Sequence, residues 1–349
     1  MSVQHQKIAI LGTGSIGSCV GADLTRAGLD VTLIDQWPEH VEAMKAKGVT
    51  IQFPDEDVNV PVTAWHLCEL AEHMPTFDIV FLCFKSNDTK WACALIEPYL
   101  KEDGVLVGLQ NGMNNEMIAG IVGRGRTVGA VVELSGEMFT PGLVQRDTTY
   151  EKTWFGLGEL DGSITPRLKD VQEIMQNVAR IDLTENIEGA KWTKLVANTM
   201  LMGLTGLLGL KTWEASQLPG MKELAIQAGR ESVAVGKALG YSLEPVFGMN
   251  ADEFAGATDE VLLNAMNTLL GHIGKNATTA AIHDHIKGRQ SEMSHITGVV
   301  AEKGQEFGIA TPVNTASTAL DKRINEGTLD MDPSNFGLLK SMVESLPNR

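Results

Sequence analysis

Lys7–Leu11 (KIAIL), Phe77–Phe84 (FDIVFLCF) and Gly104–Leu109 (GVLVGL) are apolar at nearly every position, and Asp30–Ile34 (DVTLI) is similar. Runs this short, apolar on both faces, predict strands buried on both sides. The helix-patterned stretches between them, to about Ala27 and over Glu39–Lys47, predict crossover connections in a doubly wound, mostly parallel α/β sheet. Val128–Glu133 and Lys152–Gly156 read as further strands, within a region that turns irregular over Asp147–Gly162. Beyond about Glu185 the period changes. Gly189–Gly209, Ala215–Gly240, Asp252–Ile273, Ala277–Phe307 and Pro312–Gly327 all read as helix with brief breaks. The expected organisation is an α/β domain over residues 1–186 and an all-α domain over 187–349.

The first strand runs into Gly12-Thr13-Gly14-Ser15-Ile16-Gly17, which opens a helix. The first glycine permits the tight turn, the second a close approach of backbone to a pyrophosphate, and the third close packing of helix on sheet. The free N–H groups and positive dipole end of the helix favour phosphate. A G-x-G-x-x-G alone is weak evidence, but the strand–turn–helix–strand context identifies a Rossmann-type dinucleotide domain. Asp35 ends the second strand, 18 residues beyond Gly17. A carboxylate there accepts hydrogen bonds from ribose hydroxyls and repels a 2′-phosphate; the neighbours Gln36, Trp37 and Pro38 supply no cation. The expected cofactor is NAD, with NADP the alternative. A plain helix-capping Asp is the structural reading of the same residue.

Composition narrows the partners. The hydrophobic fraction of 43% supports a packed core, and 349 residues fit two domains. A net charge of −16 opposes nucleic-acid and anionic-membrane partners. No apolar run approaches the roughly 20 residues of a membrane span, and the N-terminus has no signal-peptide pattern. Cys19, Cys68, Cys83 and Cys93 show no CxxC spacing, as expected of reduced thiols in a cytoplasmic protein. The expected partner is a small molecule.

Several polar residues lie where ligands bind. Lys85 leaves the run ending at Phe84, and Asn111 follows Leu109-Gln110 at the same carboxyl edge of the sheet. A solvated Lys and an Asn-Gly turn are the plain readings. In the second half, Lys194 and Asn198 are four apart and share one helix face, with Lys191 nearby. Burial of such a Lys lowers its pKa toward neutrality, which suits a general acid for a carbonyl; a solvated Lys in the first turns is the competing reading. His283, His285 and His295 lack ligand spacing, so no metal is expected.

Taken in order, Gly12–Gly17, Leu109-Gln110-Asn111-Gly112, Trp192-x-Lys194-Leu195-x-x-Asn198, Gly288-Arg289-x-x-Glu292 and Gly308-Ile309-Ala310-Thr311-Pro312-Val313-Asn314 resemble the ketopantoate reductase family over nearly the whole chain. The resemblance implies Lys194 as the general acid for the 2-oxo oxygen and Glu292 as the group binding the substrate hydroxyl. It further implies that Asn198 orients the substrate, that Asn111 lies between nicotinamide and substrate, and that Lys85 is basic at the cofactor. Three positions depart from the family pattern. A second Asn is replaced by Met202. The carboxylate-binding serine is replaced by Ala280, leaving Thr279 as the nearest hydroxyl. The basic residue after the second strand is replaced by the Asp35 environment. The segment 245–277 also looks long. These departures favour a 2-oxo or 2-hydroxy acid other than ketopantoate. The alternatives are a β-hydroxyacid dehydrogenase and a non-catalytic dinucleotide-binding protein. A homodimer is the expected assembly.

Overall fold

The computed structural model describes residues 5–244, 258–273 and 275–346. The chain divides into two compact units, Met1–Ile187 and Glu188–Arg349. The first is built on β1 (Lys7–Leu11), α1 (Ser15–Arg26), β2 (Asp30–Asp35), α2 (Pro38–Lys47), β3 (Val49–Gln52), β4 (Asp57–Val60), β5 (Thr63–His66), α3 (Glu69–His73), β6 (Phe77–Leu82), α4 (Thr89–Ile96), β7 (Leu100–Gly108), α5 (Asn115–Val122), β8 (Thr127–Glu133), β9 (Gly136–Thr140), β10 (Leu143–Arg146), β11 (Trp154–Glu159), α6 (Pro166–Met175) and β12 (Arg180–Leu183).

Eight strands form one sheet in the order β12-β11-β8-β7-β6-β1-β2-β5. All neighbours are parallel except β8 and β11. The alternation of side chains sorts the apolar runs into two cores. Ile8, Ile10, Ile79, Phe81 and Val107 pack with Val20 and Leu24 of α1 on one face. Ala9, Leu11, Val80, Leu82 and Leu106 pack with Ala92 and Ile96 of α4 and Ile118 of α5 on the other. Helices on both faces are why these strands carry no polar alternation.

A second sheet, β4-β3-β10-β9, was not expected from the sequence. Its strands are short and partly exposed. Its hairpin turn at Pro141-Gly142 uses a left-handed glycine, φ 74°. Arg146, at the end of β10, is 2% exposed. It donates to Asp23 Oδ2 of α1 at 2.5 Å, to Thr148 O at 3.0 Å, to Thr153 Oγ1 at 3.1 Å and to Val178 O at 3.2 Å.

The described residues of the second unit form helices and no strand: α7 (Ile187–Met200, which begins at the last residue of the first unit), α8 (Met202–Thr205), α9 (Thr212–Ser216), α10 (Met221–Ala238), α11 (Asp259–Ile273), α12 (Ala280–Ile286), α13 (Thr297–Phe307), α14 (Pro312–Asn325) and α15 (Asn335–Ser345). Of the helix expected over 252–273, residues 252–257 lie outside the described residues, as does most of the long 245–277 segment's first half. The stretch Ala277–Phe307, expected as helix with brief breaks, forms the two helices α12 and α13, separated by residues 287–296. Gly288 takes φ 64°, Gly288 N donates to His285 O at 3.0 Å and Arg289 N to Asp284 O at 2.8 Å. This is the pairing that ends a helix on a left-handed glycine. Residues 289–292 therefore run outside any helix.

Candidate active site

The glycine loop has the geometry its sequence implies. Gly12 has φ 95°, and a Cβ there would lie 2.5 Å from Phe84 N. A Cβ on Gly17 would lie 3.1 Å from the Cβ of Cys83 and collide with the Gly12 carbonyl. Gly14 is different: a Cβ there meets nothing within 4 Å. The first and third glycines thus serve packing, while the second faces open space at the start of α1, whose first turn has no side-chain cap. That opening fits a pyrophosphate received by backbone N–H groups.

Asp35 is 6% exposed and braces this loop. Its Oδ2 accepts from Thr13 N at 2.5 Å and Thr13 Oγ1 at 3.0 Å, and its Oδ1 accepts from Trp37 N at 2.8 Å. A second chain of bonds reaches the loop from the small sheet. Gly142 N donates to His40 Nδ1 at 2.9 Å, which leaves Nε2 of the neutral ring to face Ser18 Oγ at 3.4 Å, and Ser18 Oγ donates to Thr13 O at 2.8 Å.

Lys85 and Asn111 come together at the same strand ends. Half-buried Lys85 precedes a short 3-10 turn, Ser86–Asp88. Ser86 Oγ donates to Asn111 O at 3.0 Å; Asn114 Nδ2 donates to Asn111 O at 2.8 Å and to Ser86 Oγ at 3.0 Å. Gln110 Nε2 donates to Phe84 O at 2.6 Å, and Thr89 Oγ1 to Gln110 Oε1 at 3.1 Å. Sequence reasoning missed Ser86, Thr89, Gln110 and Asn114. Only the Asn-rich stretch after β7 hinted at them.

In the second unit α7 is anchored by Trp192, whose Nε1 donates to Ser232 O of α10 at 2.9 Å and whose indole leaves no room for a Cβ at Gly236. Thr199 adds a 2.9 Å contact to Ser232 Oγ. This fixes the face carrying Lys194, which is half-buried, and Asn198, which is buried. The more deeply buried of the two lysines is Lys191, 4% exposed. Burial pushes the Lys191 ammonium down to about 8, against the upward pull of Glu188 and Glu292. Glu292 is 3% exposed. Beside it, burial holds His295 below the usual imidazole value. Thr279 caps α12, and its buried hydroxyl, with no hydrogen-bond partner among the described residues, faces Gly206. His283 Nε2 lies 2.7 Å from Thr278 Oγ1 and His285 Nε2 lies 3.0 Å from Asp321 Oδ1.

Lys191 gives a signed pH dependence. From about pH 8 to the ordinary lysine value of 10.5, the unfolded chain holds a proton that the folded chain has released, so stability rises with pH over that window. The limit is about 3 kcal/mol. Urea midpoints taken across this window should climb for the wild type relative to Lys191→Met; parallel curves would contradict the assignment.

A glycine loop heading a Rossmann-type sheet, followed by a helical unit with a Lys-x-x-x-Asn helix, defines a dinucleotide-dependent oxidoreductase. Comparison with known proteins sharpens this. Residues 8–159 match the family described as ketopantoate reductase PanE/ApbA, and residues 186–325 match its C-terminal counterpart. The chain belongs to the ketopantoate reductase family and is an oxidoreductase of that type. A 2-dehydropantoate 2-reductase of Archaeoglobus fulgidus is 26% identical over 329 residues, covering 92% of this chain and 99% of that one. The crystal structure of a PanE/ApbA family ketopantoate reductase from Ralstonia eutropha JMP134 is 25% identical with a TM-score of 0.77, covering 92% of this chain and 99% of that one. The same fold occurs in D-mandelate dehydrogenase, solved with NADH and anilino(oxo)acetate, at 21% identity and a TM-score of 0.79, covering 92% of this chain and 99% of that one. Among the described residues no helix is long and apolar enough to cross a membrane, and no group of three or more His, Cys, Asp or Glu could hold a metal ion.

Proposed function

We propose that this chain is an NAD-dependent 2-oxo acid reductase, or 2-hydroxy acid dehydrogenase, acting in the cytoplasm as a homodimer. The observation carrying the reading is the anchored α7, which presents Lys194 and Asn198 one turn apart, with buried Glu292 close enough to act on the charge of Lys191 on the same helix. The cofactor would be held by residues 12–17 through backbone N–H groups, with Lys85 supplying positive charge at the strand edge and Asn111 orienting the nicotinamide end. A bound nicotinamide supplies or accepts the hydride at the carbonyl carbon. Lys194 Nζ gives a proton to the carbonyl oxygen in reduction and stabilises the charge that develops there. Asn198 orients the substrate, Glu292 accepts a hydrogen bond from its hydroxyl, and Thr279 is the nearest hydroxyl for the carboxylate.

The NAD preference rests on Asp35. Thr13 and Trp37 occupy part of its carboxylate, yet its charge still stands at the end of β2, where a 2′-phosphate would be opposed. A steady-state screen of 2-oxo against 3-oxo acids with NADH and NADPH tests the whole reading. Turnover of 2-oxo acids with NADH is expected. A strong wild-type preference for NADPH overturns the Asp35 assignment, exclusive turnover of 3-oxo acids favours the β-hydroxyacid dehydrogenase alternative, and binding without turnover favours the non-catalytic one. Light scattering checks the dimer.

A further inference from the structure

The segment that carries Glu292 has lost its helix, and its conformation is set from elsewhere. Ser291, buried beside it, donates from Oγ to Asp321 Oδ2 of α14 at 2.7 Å. The same hydroxyl oxygen lies 3.4 Å from Met293 N and 3.3 Å from Asn325 Nδ2, both as donors. Asn325 lies one turn after Asp321. Its Oδ1 accepts from Ser291 N at 3.0 Å, and its Nδ2 donates to Asp321 Oδ2 at 2.9 Å. The other oxygen of Asp321 meets His285 Nε2 of α12 at 3.0 Å, with both side chains only 4% exposed. The residues on either side of Glu292 are therefore tied to the Asp321–Asn325 pair of α14 through the Ser291 hydroxyl and the Ser291 backbone N–H.

We infer that Asp321 is a positioning residue for the oxo-acid site: through Ser291 and Asn325 it fixes the backbone that aims Glu292 at the substrate, while His285 binds α12 into the same cluster. The arrangement is not a hydrolytic triad, because the carboxylate lies between the histidine and the serine. A buried, fully bonded polar cluster costs little while intact and specifies one conformation; losing one member leaves the others unsatisfied. The inference rests on the substrate-binding role proposed above for Glu292.

The test compares Asp321→Asn, Ser291→Ala and Glu292→Gln in the full-length enzyme. The readouts are KM for the best 2-oxo acid, kcat, NADH affinity by fluorescence titration, and melting temperature. Asp321→Asn and Ser291→Ala are each expected to raise the oxo-acid KM about tenfold with NADH affinity unchanged. Combined with Glu292→Gln they should add little, because both act through that side chain. A merely structural role would lower the melting temperature and the active fraction while leaving KM in place, and that result overturns the inference. If Asp321→Asn does not fold, Ser291→Ala decides by the same criterion. An unchanged KM in Glu292→Gln defeats the functional reading itself. A raised KM there alongside unchanged values in the other two defeats only the positioning role.

Discussion

Replacing Lys194 with alanine is expected to lower kcat by about 10²–10⁴-fold, the usual contribution of a positioned general acid. NADH affinity should stay within about twofold, because the loop that would hold the dinucleotide is built from β1, α1 and Asp35 and uses no residue of α7. The fold should survive as well. Lys194 is half-buried, and α7 is anchored through Trp192 and Thr199. Single-turnover hydride transfer followed by NADH absorbance, beside a fluorescence titration of the cofactor, separates the two effects. Normal turnover in the variant would remove Lys194 from the chemistry, and lost cofactor binding would assign it to the wrong ligand.

The largest loss of stability is expected at Arg146. Its guanidinium bridges β10 to Asp23 of α1, to Thr148 and to Thr153, and lies 5.2 Å from the centre of the Phe53 ring. Burial raises the Asp23 carboxyl pKa, opposed chiefly by the Arg146 charge. Arg146→Ala leaves that carboxylate with Arg26, 3.8 Å away, as its remaining cation. Removing one member of such a pair costs about 3–5 kcal/mol. A urea titration should show a lower midpoint with an unchanged slope. Arg146→Met combined with Asp23→Leu should recover part of the loss, because no uncompensated charge remains. A loss under about 1 kcal/mol in the single variant would mean the cluster is not the clamp its geometry describes.

The parts of this fold legible in the sequence are those whose physics is local. β1, β2, β6 and β7 announce themselves because both faces are buried, and the glycine loop because Gly12 and Gly17 leave no room for a Cβ. The small sheet was illegible for the opposite reason. Asp57–Val60 and Gly136–Thr140 alternate weakly and pair with their neighbours β3 and β10, and the sheet exists only because β3 pairs with β10, far along the chain. In the helical unit residues 287–296 are dense in polar groups, and Gly288 and the bonds from Asp321 and Asn325 replace the helix there. Spacing on α7 singled out Lys194 and Asn198 but did not show which lysine is the more deeply buried. Which of two lysines three residues apart faces the interior depends on α10, through Ser232 and Gly236.

The bond from Gly142 to His40 joins residues 102 positions apart. The loop that opens the chain is therefore completed only after the β9–β10 hairpin has been made and docked. During synthesis β1, α1 and β2 precede the hairpin, and His40, which faces Ser18, gains its Gly142 donor only after a long closure whose entropy is offset on docking. Dinucleotide affinity should accordingly appear as a late event in refolding, behind the burial of the main sheet, although the glycine motif lies within the first 17 residues.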